Sequence, residues 1–258
     1  MNLTYRYHGV QRSVDTILEF TANDRSAFWS DPFFHFFPDI NKTAFLAAPT
    51  AQRARYLTEY FTAFERENAS IIRDKITLWN TEWASKRKQV TAALEDAFSL
   101  ELSGLFNDMT GYMTFCPVCP RYLENNSFDV FWLNSERGAL GLSLHEIIHF
   151  VWFYVWNGYF HDNKSDYETP HLKWILSEMV VEPIMRDERL RSINPYFDEG
   201  CVYPYFYTLK IGDAPALDLL YDMFTDMDIH RFMLESYALL SAHESDIRKH
   251  IEDSERGV

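Results

Sequence analysis

From Gly141 to Trp156 the chain reads Gly-Leu-Ser-Leu-His-Glu-Ile-Ile-His-Phe-Val-Trp-Phe-Tyr-Val-Trp, apolar almost throughout and free of proline. Asn157-Gly158 then supplies a helix-stop signal. A helix hydrophobic on every side has to be buried, so the fold must be built around this one. It must also accommodate His145, Glu146 and His149 in the middle of that helix. Buried imidazoles and carboxylates are costly unless something partners them. A core large enough to cover such a helix is within reach of 258 residues that are 47% hydrophobic and 17% aromatic.

The spacing of the three polar residues suggests what the partner is. Histidines four apart on a helix project from one face, one turn apart, which lets both grip a single ion. Glu146 between them is then placed to take a proton from a water on that ion, the working core of many zinc-dependent hydrolases. Zinc in such sites takes three protein ligands and keeps a fourth position for water. Phe150 to Asn157 contains neither glycine nor histidine, so the third ligand lies elsewhere. Trp174-Ile-Leu-Ser-Glu-Met-Val-Val-Glu-Pro-Ile-Met185 reads as a second apolar helix with Glu178 and Glu182 one turn apart. At that spacing Glu178 can complete the ligand set. Glu182 can accept a hydrogen bond from the far nitrogen of His145 or His149, which would fix the tautomer. Pro183 follows both carboxylates, so a kink there leaves the pair undisturbed.

HExxH followed some way downstream by a helical Glu-x-x-x-Asp/Glu resembles the gluzincins, the thermolysin-like zinc metallopeptidases. Here the gap from His149 to Glu178 is 29 residues, at the long end of the pattern, and Glu182 stands where thermolysin has Asp. The resemblance covers residues 128 to 185 and is closer to compact intracellular bacterial members of that clan than to the large secreted ones. It implies Zn2+ as cofactor, His145, His149 and Glu178 as its ligands, Glu146 as general base and Glu182 as the hydrogen-bond partner of a ligand histidine. It also implies a peptide or small protein substrate laid along a sheet edge strand just before the zinc helix. Phe128-Asp-Val-Phe-Trp-Leu133 suits that strand, with Met109 to Phe115 as a neighbour. An oxyanion donor is expected too, and Tyr203, Tyr205, Tyr207, His230 and Tyr237 are all candidates.

The rest of the chain frames this expectation. Residues 1–100 carry 12 Lys+Arg against 12 Asp+Glu, and residues 101–258 carry 12 against 26, so the whole net charge of −14 falls in the part with HEIIH. That balance favours basic peptides and disfavours nucleic acid and anionic membranes as partners. The start, Met1-Asn-Leu-Thr-Tyr-Arg-Tyr-His8, lacks a signal-peptide pattern, and the longest unbroken apolar run, Phe150 to Trp156, is too short to span a bilayer. With three cysteines, a reducing cytoplasm is expected. Cys116-Pro-Val-Cys119 reads as structural residues in a proline-rich loop: a zinc knuckle needs two more ligands, and only Cys201 remains. A cysteine can also serve as the third ligand in place of Glu178, as in some HExxH deformylases. Helical runs are expected over about 50–69, 71–105, 215–224 and 226–251, and the Phe-rich segment Phe28 to Pro38 as core and lid. The expectation is thus a mainly helical α+β protein, a helical half over 1–105 and a gluzincin-like catalytic half over 106–258. No feature sets an oligomeric state. The alternative is a zinc-binding protein of the same fold that cleaves nothing and acts as a binding or regulatory module.

Overall fold

Leu3-Thr-Tyr-Arg-Tyr7 buries Leu3 and Tyr5 and leaves the residues between them more open, the two-residue period of a strand, and forms β1 (Leu3–Tyr7). The computed structural model describes residues 1–195 and 202–257. After β1 come α1 (Val10–Phe20), α2 (Ala27–Phe36), α3 (Lys42–Ala47) and α4 (Thr50–Phe98). The short strands β2 (Met109–Thr114), β3 (Arg121–Tyr122) and β4 (Ser127–Phe131) follow. Then come α5 (Glu136–Phe160), α6 (Leu172–Met185), α7 (Glu188–Ile193) and α8 (Pro204–Thr208). A two-stranded ribbon, β5 (Lys210–Ile211) with β6 (Ala214–Pro215), leads into α9 (Ala216–Asp226), α10 (Ile229–Ala242) and α11 (Glu244–Arg256). The protein is therefore mainly helical with a small mixed sheet.

Two compact units are assembled from interleaved segments. One comprises Asn2–Ser85 and Phe106–Leu140; the other comprises Met1, Lys86–Leu105 and Gly141–Val258. The chain does cross from one to the other at 105/106, but it crosses elsewhere as well, and α4 and α5 each contribute to both.

The first unit holds the four-stranded sheet, in the order β1-β2-β4-β3. β1, β2 and β4 run parallel, and β3 pairs antiparallel with β4. Gly111 lies in register between Tyr5 and Phe128. A Cβ there would come within 2.8 Å of the Tyr5 ring and 3.3 Å of the Phe128 ring. Glycine is thus what allows these two buried aromatics to close over the middle strand. Below them Phe61 stacks on Phe115 at 5.0 Å, and Phe33 packs on Phe37 and Phe45. Phe33, Phe34 and Phe37 of the Phe-rich segment are therefore core, while Phe36 is 43% exposed.

This sheet corrects one expectation. The strand at Phe128 is not an edge: β2 flanks it along Ser127–Phe131, and on the other side β3 pairs with Ser127 and Phe128 while Pro120 O accepts the Asp129 N–H at 3.0 Å. Along Ser127–Asp129 a substrate strand cannot add. The β1 edge is blunted as well, because the Asn80 side chain accepts from Tyr5 N at 2.9 Å and donates to Tyr5 O at 2.9 Å. The burial of Asp129 inside an apolar strand has its own cause: Arg12 Nε reaches it at 2.5 Å and Thr16 Oγ1 at 3.2 Å. The Arg12 guanidinium also lies over the rings of Tyr112 and Tyr122, at 4.1 and 4.8 Å.

Three helix boundaries differ from the sequence reading. The runs 50–69 and 71–105 merge into the 49 residues of α4, since Ala69-Ser70-Ile71 contains no breaker, and the helix ends where Ser99 takes a left-handed φ of 48°. α5 passes Asn157-Gly158 and turns only at His161, at a φ of 54°. Asn157 O accepts the His161 N–H at 3.0 Å as a helical bond, and Asn157 Oδ1 accepts from the Tyr167 hydroxyl at 3.1 Å, a contact from beyond the helix that holds Asn157 within it. The expected helix over 226–251 is two, broken at His243, with Asp228 capping the first through the N–H groups of His230 and Arg231.

Candidate metal centre

In the second unit α5 is the core helix. By length and composition it is apolar enough to cross a membrane, but 78% of its most apolar window is buried within the protein. Trp152 packs on Phe232 at 5.8 Å and Phe153 stacks on Tyr167 at 4.4 Å, so the apolar faces are taken up by protein. α6 is just as closely surrounded: every residue from Ile175 to Met185 is buried. Glu178 and Glu182 are thus carboxylates in apolar surroundings, and each needs a counterpart.

The counterparts differ. Glu178 Oε2 lies 3.5 Å from His145 Nε2 and 3.6 Å from His149 Nε2, and the two ring nitrogens are 3.0 Å apart. Among the described residues, His145, His149 and Glu178 form the cluster able to hold a metal ion. The His149 and Glu178 side chains are 0% and 3% exposed and that of His145 is 14% exposed, so the cluster is open to solvent on one side only. The separations of 3.5 and 3.6 Å are too long for good hydrogen bonds. They are the right length for atoms that share an ion. A circle through the corners of a triangle with sides 3.0, 3.5 and 3.6 Å has a radius of about 2.0 Å, which matches the ~2.0–2.2 Å between zinc and its nitrogen or oxygen ligands. Two imidazole lone pairs and a carboxylate converging at this spacing are what a cation satisfies. The donor set therefore fits a metal.

Glu182 serves otherwise. Its Oε1 accepts from Arg186 Nε at 3.3 Å and its Oε2 from the Tyr207 hydroxyl at 2.9 Å, while Arg186 also donates to Asp218 at 2.9 Å. The hydrogen bond expected from an imidazole to Glu182 is not among its contacts. Glu182 instead ties α6 to α8 and, through Arg186, to α9. No spacing rule in the sequence signals this, because Tyr207 lies 25 residues away.

Glu146 is buried at 4% exposure on α5, one residue after His145. Of the oxyanion candidates, Tyr205 is also buried at 4%, and burial followed by the negative charge of Glu178 pushes its phenol far above the ordinary value. Tyr207 bonds Glu182, His230 rests on Tyr159 and Tyr237 on Trp156. Tyr203 stacks on Tyr205 at 5.3 Å.

Cys116 and Cys119 lie in the loop between β2 and β3, in the other unit, and do not join the cluster. Burial pushes the Cys116 thiol well above its usual value, as befits a structural residue. Cys201 lies outside the described residues. Compared with known proteins, the chain matches no family model, and no curated protein or solved structure is similar to it above chance.

Proposed function

We propose that the protein is a zinc-dependent peptidase with a thermolysin-like arrangement of ligands. The observation that carries this reading is the convergence of His145, His149 and Glu178 at zinc-ligand spacing beside the buried Glu146. Two imidazoles with one carboxylate suit zinc better than magnesium or calcium, which prefer all-oxygen sets. When bound, the ion supplies Lewis acidity and a water acidic enough to lose its proton near neutral pH. Glu146 takes the proton of the attacking water and returns it to the leaving amine. Burial excludes bulk water from His149 and Glu178, so these interactions act in a low dielectric.

One observation favours the second reading, a zinc-holding module that cleaves nothing. The strand expected to receive an extended substrate is paired on both sides at its start, over Phe128 and Asp129. The Glu146→Gln variant, tested on a broad peptide library, separates the two. A peptidase loses about 10²-fold or more in turnover while keeping its zinc. Wild-type protein that holds zinc but cleaves no member of the library establishes the module instead.

A further inference from the structure

A second polar cluster lies apart from the metal ligands, seven to eleven residues beyond His149 on α5 and five before Glu178 on α6. Trp156, Phe160, Leu234 and Tyr237 wall a cavity of about 280 Å³ that Asp162 and Lys173 also line. Trp156 packs against Phe160 at 4.4 Å and meets Tyr237 at 5.6 Å, nearly edge-on. Pockets for small molecules run from ~300 Å³ upward, so this one suits a compact ligand and not a chain segment.

The polar side of the pocket is an ion pair with valences to spare. Lys173 Nζ lies 2.7 Å from Asp162 Oδ2 and 3.0 Å from Asp166 Oδ2, and its side chain is 14% exposed. The same Asp162 oxygen accepts from Trp156 Nε1 at 2.9 Å. Among the described residues, nothing bonds Asp162 Oδ1, and two of the three Lys173 N–H groups are engaged. Burial opposes the charge on Asp162, but the hydrogen bonds from Lys173 and Trp156 hold its carboxyl below the usual range, so both partners stay ionised. The pocket thus presents one free anionic acceptor, one free cationic donor and three aromatic rings.

A ligand that meets all three features carries an ammonium, a carboxylate and an apolar body. We propose that the pocket binds a free α-amino acid with an apolar side chain, its ammonium on Asp162, its carboxylate on Lys173 and its side chain against Trp156, Phe160 and Tyr237. A lone organic cation would satisfy the rings and Asp162 but leave the Lys173 donor facing it. A carboxylate alone would meet Lys173 but crowd Asp162.

Calorimetric titration of L-phenylalanine tests this, with phenylalaninamide, N-acetylphenylalanine and benzyltrimethylammonium as comparators. The protein is His149→Ala, which removes the metal site as a second place for a carboxylate to bind. The expected result is saturable binding of L-phenylalanine, weakened tenfold or more in each comparator. Leu234→Arg, on a rim residue 46% exposed, should abolish binding without disturbing the core. Failure of L-phenylalanine to bind overturns the proposal. So does equal binding of the amide or of benzyltrimethylammonium, which would make the pocket a cation cage, and so does binding that survives Leu234→Arg.

Discussion

Replacing Glu178 with Gln keeps the volume of the side chain and removes one of three ligands. On the proposed reading, α5 and α6 bring the ligands together only in the folded chain, so zinc would bind the native state and stabilise it by mass action. At zinc one hundred times the wild-type dissociation constant, that stabilisation is about 2.7 kcal/mol. Mutating groups that merely orient a ligand costs 10- to 100-fold in affinity, so loss of a direct ligand should cost at least about 100-fold. The variant at the same zinc then gains only about 0.4 kcal/mol, and the difference of about 2.3 kcal/mol corresponds to a gap of ~5–9 °C in melting temperature for a chain of this size. The assay is thermal unfolding of both proteins with chelator and along a zinc titration, each read as the shift from its own chelated baseline. An equal zinc-induced shift in wild type and variant, or none in wild type, would refute the reasoning, because the ion would then be bound elsewhere or not at all.

Three further outcomes follow from the packing. Gly111→Ala should cost about 1–3 kcal/mol in urea unfolding, because the new methyl meets two buried rings that cannot withdraw; an unchanged midpoint would show that they can. Burial, outweighing Arg12, raises Asp129 from an ordinary 3.8 to about 6. The folded state therefore binds the extra proton between those values, and stability falls as pH rises from about 4 to about 6, by up to ~3 kcal/mol. Urea midpoints for wild type and Asp129→Asn across that range should show the slope in wild type only, and a matching slope in the variant would assign it to other groups. Tyr207→Phe should destabilise the protein by ~1.5–3 kcal/mol, since the buried Glu182 carboxylate loses one of its two partners; a change below 0.5 would mean that solvent replaces the phenol.

Local rules carried much of the site into view. HEIIH is a same-helix motif, and Glu178 betrayed itself as a charge in an apolar run, so the three residues that converge could be named from the chain alone. What escaped was set by tertiary geometry. β1 is five residues long and its role depends on β2, more than a hundred residues away. The expectation that β4 is an edge came from the family resemblance and not from its residues, which are buried throughout, and the two-residue β3 turns back to pair with its start. Glu182 was recognised as a carboxylate needing a partner, but both Arg186 and Tyr207 could not be chosen without knowing where α8 lies. Asp129 sits among apolar residues in the sequence, and only the fold supplies Arg12 to pair with it.

The interleaving of the two units bears on how such a protein can be inherited. The ligand-bearing segment Gly141–Val258 belongs with Lys86–Leu105, and thirty-five residues of the other unit, Phe106–Leu140, are spliced between them. A single recombination crossover cannot transplant that unit whole, and a gene fragment that encodes the ligand helices without residues 86–105 leaves part of their unit behind. The helices that carry the candidate ligands are thus not a contiguous cassette: excising them as one stretch leaves residues 86–105 of their unit behind.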